Sequence, residues 1–165
     1  RDVAVTGVQT CALPISMSVF SDQKTFMTTS GQKASPKTAD LYKRLVDEEV
    51  EELELAWRMY ERHPEHTVPL TDVADACIDI IYVVIGLLHS LDLDPQELWD
   101  EVQRSNMSKF VLEPCIFCGT KGCEQCDGRG EFYKAIKRED GKILKPSTYF
   151  KPDLISLIHK RLEQR

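Results

Sequence analysis

The sequence predicts an all-α fold, an oligomeric helical bundle that carries one small insertion rich in cysteine. Two long segments, residues 36–63 and 71–90, place apolar side chains at helical spacing and are bounded by capping residues and prolines. Four cysteines crowd into residues 115–126, which indicates a separate metal-binding module. Outside that module, no segment gives a convincing alternation of apolar and polar residues of the kind a half-buried strand needs.

Length and composition suit one soluble domain with a small appended module. The chain has 165 residues, of which 42% are hydrophobic and 29% charged. Its 27 acidic residues exceed its 21 basic ones, which argues against a protein that coats nucleic acid but is compatible with a nucleotide enzyme. The longest strongly apolar stretch, residues 78–88, is too short for a bilayer, so we expect no membrane-spanning segment.

The first sixteen residues, RDVAVTGVQTCALPIS, do not fit the rest of the chain. They lack the basic start and unbroken apolar core of a signal peptide. The stretch VTGVQTCALPIS is similar to the translation of a sequencing-library adapter. We therefore expect residues 1–16 to be a non-native leader and the natural start to lie near Met17, the alternative being a disordered natural tail.

The N-terminal half begins with a short helix and a long one. Residues 17–35 are polar with scattered apolar anchors, which predicts a loop and a short helix. Ser35 offers a capping side chain and Pro36 suits a first helical turn, so we expect a long helix from here to about His63. Residues 64–69, which begin and end with proline, should break it.

The next helix is the most apolar part of the chain. Thr71 is its predicted cap, and the helix should run to about Ser90. After Asp79 it is apolar nearly all round, which predicts the buried central element of the bundle. One chain supplies too few helices to enclose such an element.

After residue 90 the predicted secondary-structure elements are shorter. Asp94 and Pro95 begin a third helix that should end near Met107. Residues 114–131 should be loop-like, Asp140 and Gly141 should form a turn, and a last short helix is expected over residues 153–162.

Carboxylates concentrate on one face of each long helix. At about 100° per residue, Glu48, Glu49 and Glu52 fall within an arc of roughly 100° beside the apolar stripe of the first long helix. Asp75 and Asp79, together with Asp72, fall within about 60° on the second. A carboxylate such as Asp79 in apolar sequence is costly unless it is paired or bound to a cation. If the arcs face each other they make an oxygen-rich site for Mg²⁺, the alternative being a solvated acidic face that pairs with Lys and Arg.

These segments resemble a known family. LVDEEVEELELA followed by DVADACIDIIYVVIGLLHSLDLD is similar to the all-α nucleoside-triphosphate pyrophosphohydrolases, the MazG-like group related to phosphoribosyl-ATP pyrophosphohydrolases and dimeric dUTPases. The family's E-E-x-x-E motif matches in full. Its E-x-x-D motif matches at Asp79, whereas Ala76 occupies the Glu position and Asp75 is the substitute, as in phage-type members. SNMSK at residues 105–109 and DGKILKPSTYFKPD at residues 140–153 extend the resemblance.

The resemblance implies that the chain cuts a nucleoside triphosphate into the monophosphate and pyrophosphate. It implies Mg²⁺, or Mn²⁺ in its place, on Glu49, Glu52, Asp75 and Asp79, with Glu48 as a further ligand or as the base that orients water. Five residues are implied to bind substrate, namely Asn106, Lys109, Lys142, Lys145 and Tyr149. It also implies a homodimer or homotetramer. The chain would then divide into a core (17–113), a cysteine insert (114–133) and a C-terminal substrate-facing segment with its helix (134–165).

The cysteines follow the spacing Cys115-x2-Cys118-x4-Cys123-x2-Cys126, and the glycines after each pair let backbone N–H groups turn toward sulfur. The pattern is similar to half of the zinc module of J-domain chaperones. Four thiolates make a closed tetrahedral Zn²⁺ site, so we expect a structural staple that orders a lid or an oligomer contact. Unliganded thiols and an iron–sulfur cluster are the alternatives. Because thiolate ligands must stay reduced, we expect a cytoplasmic protein.

Two alternative functions stay open at this point. Ala76 favours a catalytically inactive helical scaffold whose zinc module binds a protein or nucleic-acid partner. The second alternative is a narrower enzyme, either a dUTPase or a phosphoribosyl-ATP pyrophosphohydrolase.

Overall fold

The computed structural model describes residues 18–163, so the predicted leader lies outside the described residues. Within this range the chain forms five α-helices, one short 3-10 turn at Glu124–Cys126 and one two-stranded sheet, which confirms the all-α prediction. The helices are α1 (Val19–Thr29), α2 (Pro36–Arg62), α3 (Thr67–Ser90), α4 (Pro95–Met107) and α5 (Leu154–Glu163), and the strands are β1 (Phe110–Pro114) and β2 (Glu131–Ala135). The chain forms two compact units, which meet between Pro95 and Gln96. The predicted division into domains stays a prediction.

Capping side chains set the starts of the first two helices, of which only the cap of α2 was predicted. The Ser35 hydroxyl accepts a hydrogen bond from the Thr38 backbone N–H at 3.1 Å, and Pro36 occupies the first position of α2. Ser18 and Ser21 form a reciprocal capping box at the start of α1. The ends of α2 and α4 also agree with the sequence to within one residue.

The start of α3 was predicted incorrectly. The helix begins at Thr67, four residues before the predicted cap, and the Thr71 hydroxyl donates to the Thr67 carbonyl at 3.0 Å instead of capping. Pro69 is the reason for the error. It lies in the first turn, where a backbone N–H has no intrahelical partner, so its missing N–H costs nothing and the helix passes through it.

The first unit is an α2–α3 hairpin against which α1 packs. Its core contains Met27, Tyr42 and Val83. A methyl group on Gly86 would overlap the Tyr42 ring and the Gln23 amide, so only glycine allows the three helices to approach this closely. The Tyr42 hydroxyl accepts a hydrogen bond from the Gln23 amide at 3.1 Å and donates to Gln32 at 2.8 Å.

In the single chain α3 is only partly buried, in line with the prediction that one chain supplies too few helices to enclose it. Val83 and Ile85 are buried, but Ile78 is 63% exposed and Ile81 is 50% exposed. The reason is that α1 and α2 cover only part of its circumference. By length and composition alone, the whole of α3, with 24 residues, is long and apolar enough to cross a membrane, whereas the stretch 78–88 is too short. The core helix of a soluble protein can have the same length and composition.

In the second unit, β1 and β2 form an antiparallel hairpin that pairs Leu112 with Tyr133. These strands, which the sequence did not predict, flank the cysteines. The predicted turn is present, because the Gly141 N–H donates to the Arg138 carbonyl at 2.9 Å and Gly141 has φ +85°. The segment before α5 is held to α4 by a hydrogen bond from the Ser105 hydroxyl to the Phe150 carbonyl at 2.8 Å.

Candidate functional site

The five predicted metal-binding carboxylates lie on α2 and α3 and influence one another. Glu49 is half-buried, whereas the other four side chains are exposed. Partial desolvation, followed by the negative charges of Glu52, Asp79, Glu48 and Asp75, raises the pKa of Glu49 above its usual value. The helical hairpin therefore brings the two predicted acidic arcs within electrostatic range of each other. We call these five residues the carboxylate cluster.

The carboxylate cluster carries no compensating cation of its own. Among residues 18–163, none of its members takes part in an ion pair. In the same range, no three of its oxygens come within 4.8 Å of one another. Ionised carboxylates repel, so they stay apart without a bound cation. A set of oxygen ligands without an internal counter-ion fits a hard divalent cation such as Mg²⁺.

A cavity of about 430 Å³ opens beside the carboxylate cluster, within the α2–α3 hairpin. Glu52 and Asp75 line it, as do Arg58 and Arg62. Ala76, at the position where the family motif has Glu, is a buried part of its wall. The cavity thus combines carboxylates that suit a metal with guanidinium groups that suit phosphate.

Sequence reasoning missed the two arginines. A signal was present, because Leu55, Arg58 and Arg62 follow the i, i+3, i+7 spacing of one helical face. The motifs that resemble the family contain acidic residues and lysines but neither of these arginines. Neither arginine forms an ion pair within the part of the chain that the structure describes.

Four of the five predicted substrate-binding residues come together in the second unit. Lys109 Nζ donates to Asn106 Oδ1 at 2.7 Å, and Lys145 Nζ lies 4.4 Å from the centre of the Tyr149 ring. Burial opposes ionisation of Tyr149, but hydrogen bonds and the charges of Lys145 and Lys109 lower its pKa below the usual value. The fifth residue, Lys142, lies in the turn after Asp140, whose carboxylate accepts its backbone N–H.

The four predicted zinc ligands form a compact group of sulfur atoms. The Cys115–Cys123 and Cys123–Cys126 Sγ atoms are 3.7 Å apart, and those of Cys118 and Cys126 are 3.8 Å apart. Four ligands at the usual Zn–S distance of about 2.3 Å in a tetrahedron are separated by about 3.8 Å. The spacing of the thiols therefore fits a tetrahedral Zn²⁺ site.

Backbone N–H groups point at one of these sulfur atoms, which agrees with the prediction made from the glycines that follow the cysteine pairs. The Cys123 and Gly130 N–H groups both donate to Cys126 Sγ at 3.2 Å. Gly130 has φ +75°, and a side chain there would collide with the Thr120 carbonyl. Burial opposes ionisation of the Cys126 thiol, but these hydrogen bonds and the neighbouring thiols lower its pKa to about 6.

Comparison with known proteins gives one match. The family described as phosphoribosyl-ATP pyrophosphohydrolase matches residues 18–106, which is 89 of the 165 residues. The match covers α1, α2, α3 and nearly all of α4, and ends before the four clustered cysteines at residues 115–126. No curated protein matches the chain.

Proposed function

Because the chain belongs to the phosphoribosyl-ATP pyrophosphohydrolase family, whose members hydrolyse a phosphoric anhydride bond of a nucleotide, we propose that it is a Mg²⁺-dependent nucleoside-triphosphate pyrophosphohydrolase. It converts a (deoxy)nucleoside triphosphate into the monophosphate and pyrophosphate. The observation that carries this proposal is the carboxylate cluster beside a cavity lined by Arg58 and Arg62. Phosphoribosyl-ATP is the second candidate substrate, which the family match favours.

In this proposal the carboxylate cluster holds the metal, with Glu49, Glu52, Asp75 and Asp79 as ligands. A Mg²⁺ ion held there would polarise phosphoryl oxygens and would lower the pKa of a water molecule bound to it. Glu48 orients the attacking water and accepts its proton. The water oxygen bonds to the α-phosphorus while the bond from that phosphorus to the bridging oxygen breaks, and pyrophosphate leaves. Arg58 and Arg62 bind the phosphate oxygens and balance their charge.

Asp75 replaces the missing glutamate of the second motif. Ala76 is buried in the cavity wall and offers no ligand, whereas Asp75 lines the same cavity and contributes to the field at Glu49. A carboxylate one residue earlier on α3 can therefore reach the same region. This supports an active enzyme over the alternative of an inactive scaffold.

We call Cys115, Cys118, Cys123 and Cys126 the cysteine cluster, and this cluster is proposed to hold one structural Zn²⁺. A divalent cation would replace the protons of the four thiols and leave no open position for chemistry. The N–H groups of Cys123 and Gly130 already stabilise negative charge on Cys126. A lid or an oligomer contact is the role we propose for this module.

The assembly is proposed to be a homodimer or homotetramer. Ile78 and Ile81 on α3 are at least half exposed, and Val84 is 38% exposed. Burial of an apolar side chain of this size stabilises a protein by roughly 1.5–3 kcal/mol, so leaving the row in water is unfavourable. A second copy of the same helix would cover it.

The test measures pyrophosphate release from a panel of ribonucleotides, deoxyribonucleotides, dUTP and phosphoribosyl-ATP, with Mg²⁺ or Mn²⁺. Glu52→Gln removes one carboxylate charge from the cavity and should lower kcat/KM by about 100-fold or more, since metal sites are this sensitive even to outer partners. Glu54→Gln is the matched control, because Glu54 is an exposed residue of the same helix outside the cluster and should change activity little.

The panel also separates the alternatives. A strong preference for dUTP or phosphoribosyl-ATP would select a narrower enzyme. If folded, zinc-loaded protein releases no pyrophosphate from any nucleotide, the proposed reaction is wrong and the inactive scaffold is favoured. Full activity in Glu52→Gln would show that the carboxylate cluster does not take part in the reaction.

A further inference from the structure

The turn between α2 and α3 carries a group of side chains that the proposed reaction does not use. We propose that His63, Glu65 and His66 form a third metal site, which binds a divalent transition-metal ion such as Ni²⁺, Co²⁺ or Zn²⁺. It is independent of the cysteine cluster. It also has a ligand chemistry different from that of the carboxylate cluster.

The ligand atoms are already close to one another. One ligand atom from each of the three residues lies within 4.8 Å of the other two. His66 Nε2 is 3.2 Å from the Glu65 carboxylate oxygen Oε1. Two ligands at about 2.1 Å from one metal ion, with an angle near 100° between them, are separated by about 3.2 Å. The pair therefore has the separation of two ligands of one ion, and the His63 ring stands 5.6 Å from that of His66.

The backbone holds this group in place before any metal binds. The His66 N–H donates to the His63 carbonyl at 3.1 Å, which makes residues 63–66 a tight turn. Pro64 follows His63 and has a fixed φ, so the turn has little freedom. The His63 N–H is held by carbonyls of α2, and His66 is the residue that precedes α3. The two histidines thus occupy the first and last positions of a turn anchored at both ends.

The three side chains are accessible to a ligand from solution. Although His66 occupies the cap position of α3, its side chain makes no capping hydrogen bond. All three residues are exposed, so an ion from solution reaches them without rearrangement of the core. Two imidazoles and one carboxylate favour Zn²⁺, Ni²⁺, Co²⁺ or Cu²⁺ over Mg²⁺, which prefers oxygen ligands.

Three protein ligands leave at least one coordination position for water or an external ligand. The site therefore differs from the closed four-thiol site. A metal bound here joins the end of α2 to the start of α3, the two helices of the carboxylate cluster. Binding to the folded state alone stabilises it, so Ni²⁺ should raise the melting temperature of the first unit.

The test counts bound Ni²⁺ by equilibrium dialysis of untagged protein whose cysteines are loaded with zinc, in excess Mg²⁺ to saturate the carboxylate cluster. We expect one Ni²⁺ per chain and a higher melting temperature. His63→Gln and His66→Gln should each abolish both effects, because a chelate fails when either ligand is lost. His159→Gln, which alters an exposed histidine of α5, is the matched control and should bind as the parent protein does.

Other outcomes overturn the proposal. Binding that survives both substitutions would place the ion elsewhere. Binding that each substitution only halves would indicate separate histidines, not a shared site. If Ni²⁺ does not bind at all, the contact between His66 and Glu65 is an ordinary surface pair. None of these results depends on pyrophosphohydrolase activity.

Discussion

The carboxylate cluster and the cysteine cluster differ in how far the chain alone assembles them. The thiols lie 3.7–3.8 Å apart, at the separation of a tetrahedral site. The carboxylates share an electrostatic field, yet no three of their oxygens within residues 18–163 converge to 4.8 Å. Thiols can pack together through S–H···S contacts, as Cys118 and Cys126 do, whereas ionised carboxylates repel one another. The proposed zinc site thus has its ligand atoms close together without a metal, whereas the ligand atoms of the proposed Mg²⁺ site are further apart.

The largest effect should follow removal of metal from the cysteine cluster. Residues 110–135 expose large apolar side chains, with Ile116 86% exposed and Phe117 68% exposed, so they have little core of their own. Chelation, or Cys118→Ser, should therefore disorder this segment and lose about one zinc equivalent per chain. Amide NMR would detect the loss, while helical circular dichroism stays nearly constant.

Cys77→Ser provides the matched control, because Cys77 is an exposed cysteine on α3 outside the cluster. The Cys77→Ser variant should keep its zinc and the amide NMR signals of the β1–β2 hairpin. A chelated protein whose hairpin amides remain dispersed would contradict the idea that metal holds this segment together.

A smaller effect should follow a change in the scaffold beneath the carboxylates. Gly86→Ala inserts a methyl group into the space occupied by the Tyr42 ring and the Gln23 amide. Overpacking of this kind costs about 1–3 kcal/mol, so the urea midpoint of the helical signal should fall. Zinc content should be unchanged, since the cysteines belong to the other unit. An unchanged urea midpoint would show that α2 and α3 can separate freely at this crossing.

The smallest effect concerns the charge repulsion itself. In the folded state the pKa of Glu49 is above its ordinary value of 4.5, so the folded protein binds this proton more readily than the unfolded chain. The contribution of Glu49 to the free energy of unfolding of the wild type therefore falls as the pH rises from 4.5 through the raised pKa of the folded state. Without divalent cations at pH 7, Glu49→Gln should raise the free energy of unfolding by a few tenths to about 1 kcal/mol.

Urea unfolding at pH 7.0 and 5.0, with and without Mg²⁺, would measure this change. The gain should shrink at the lower pH, where wild-type Glu49 is increasingly protonated, and should reverse in saturating Mg²⁺, which binds the wild-type cluster more tightly. Glu54→Gln should show neither dependence. A destabilised Glu49→Gln at pH 7 without metal would mean that the cluster is not under repulsion.

The helix ends that could be predicted from sequence are those that depend on neighbouring residues. Ser35 with Pro36, and Pro95, act within one turn and predict the starts of α2 and α4 correctly. Pro69 misled the prediction because proline is acceptable in a first turn as well as in a loop. The strands β1 and β2 escaped detection because they are five residues each and pair across the fifteen residues or more between them.

The sequence predicts those parts of the candidate site whose residues belong to recognisable motifs. The E-E-x-x-E motif led to the carboxylate cluster, and Cys spacing led to the thiol group. The partial exposure of α3 in a single chain agrees with the sequence, which supplies too few helices to enclose it. The shared helical face of Arg58 and Arg62 did not identify them as site residues, because only the structure shows that this face lines the cavity.

The pairing of Phe110 with Ala135 has a consequence for how such a chain could be acquired or rebuilt. Partners in an antiparallel ladder have their Cα atoms about 5 Å apart, so within the second unit the polypeptide leaves and returns at nearly the same point. Segments with adjacent ends can be spliced into a surface loop without stretching the host. The region between these two residues is thus a removable cassette, and a short turn in its place should reconnect the chain.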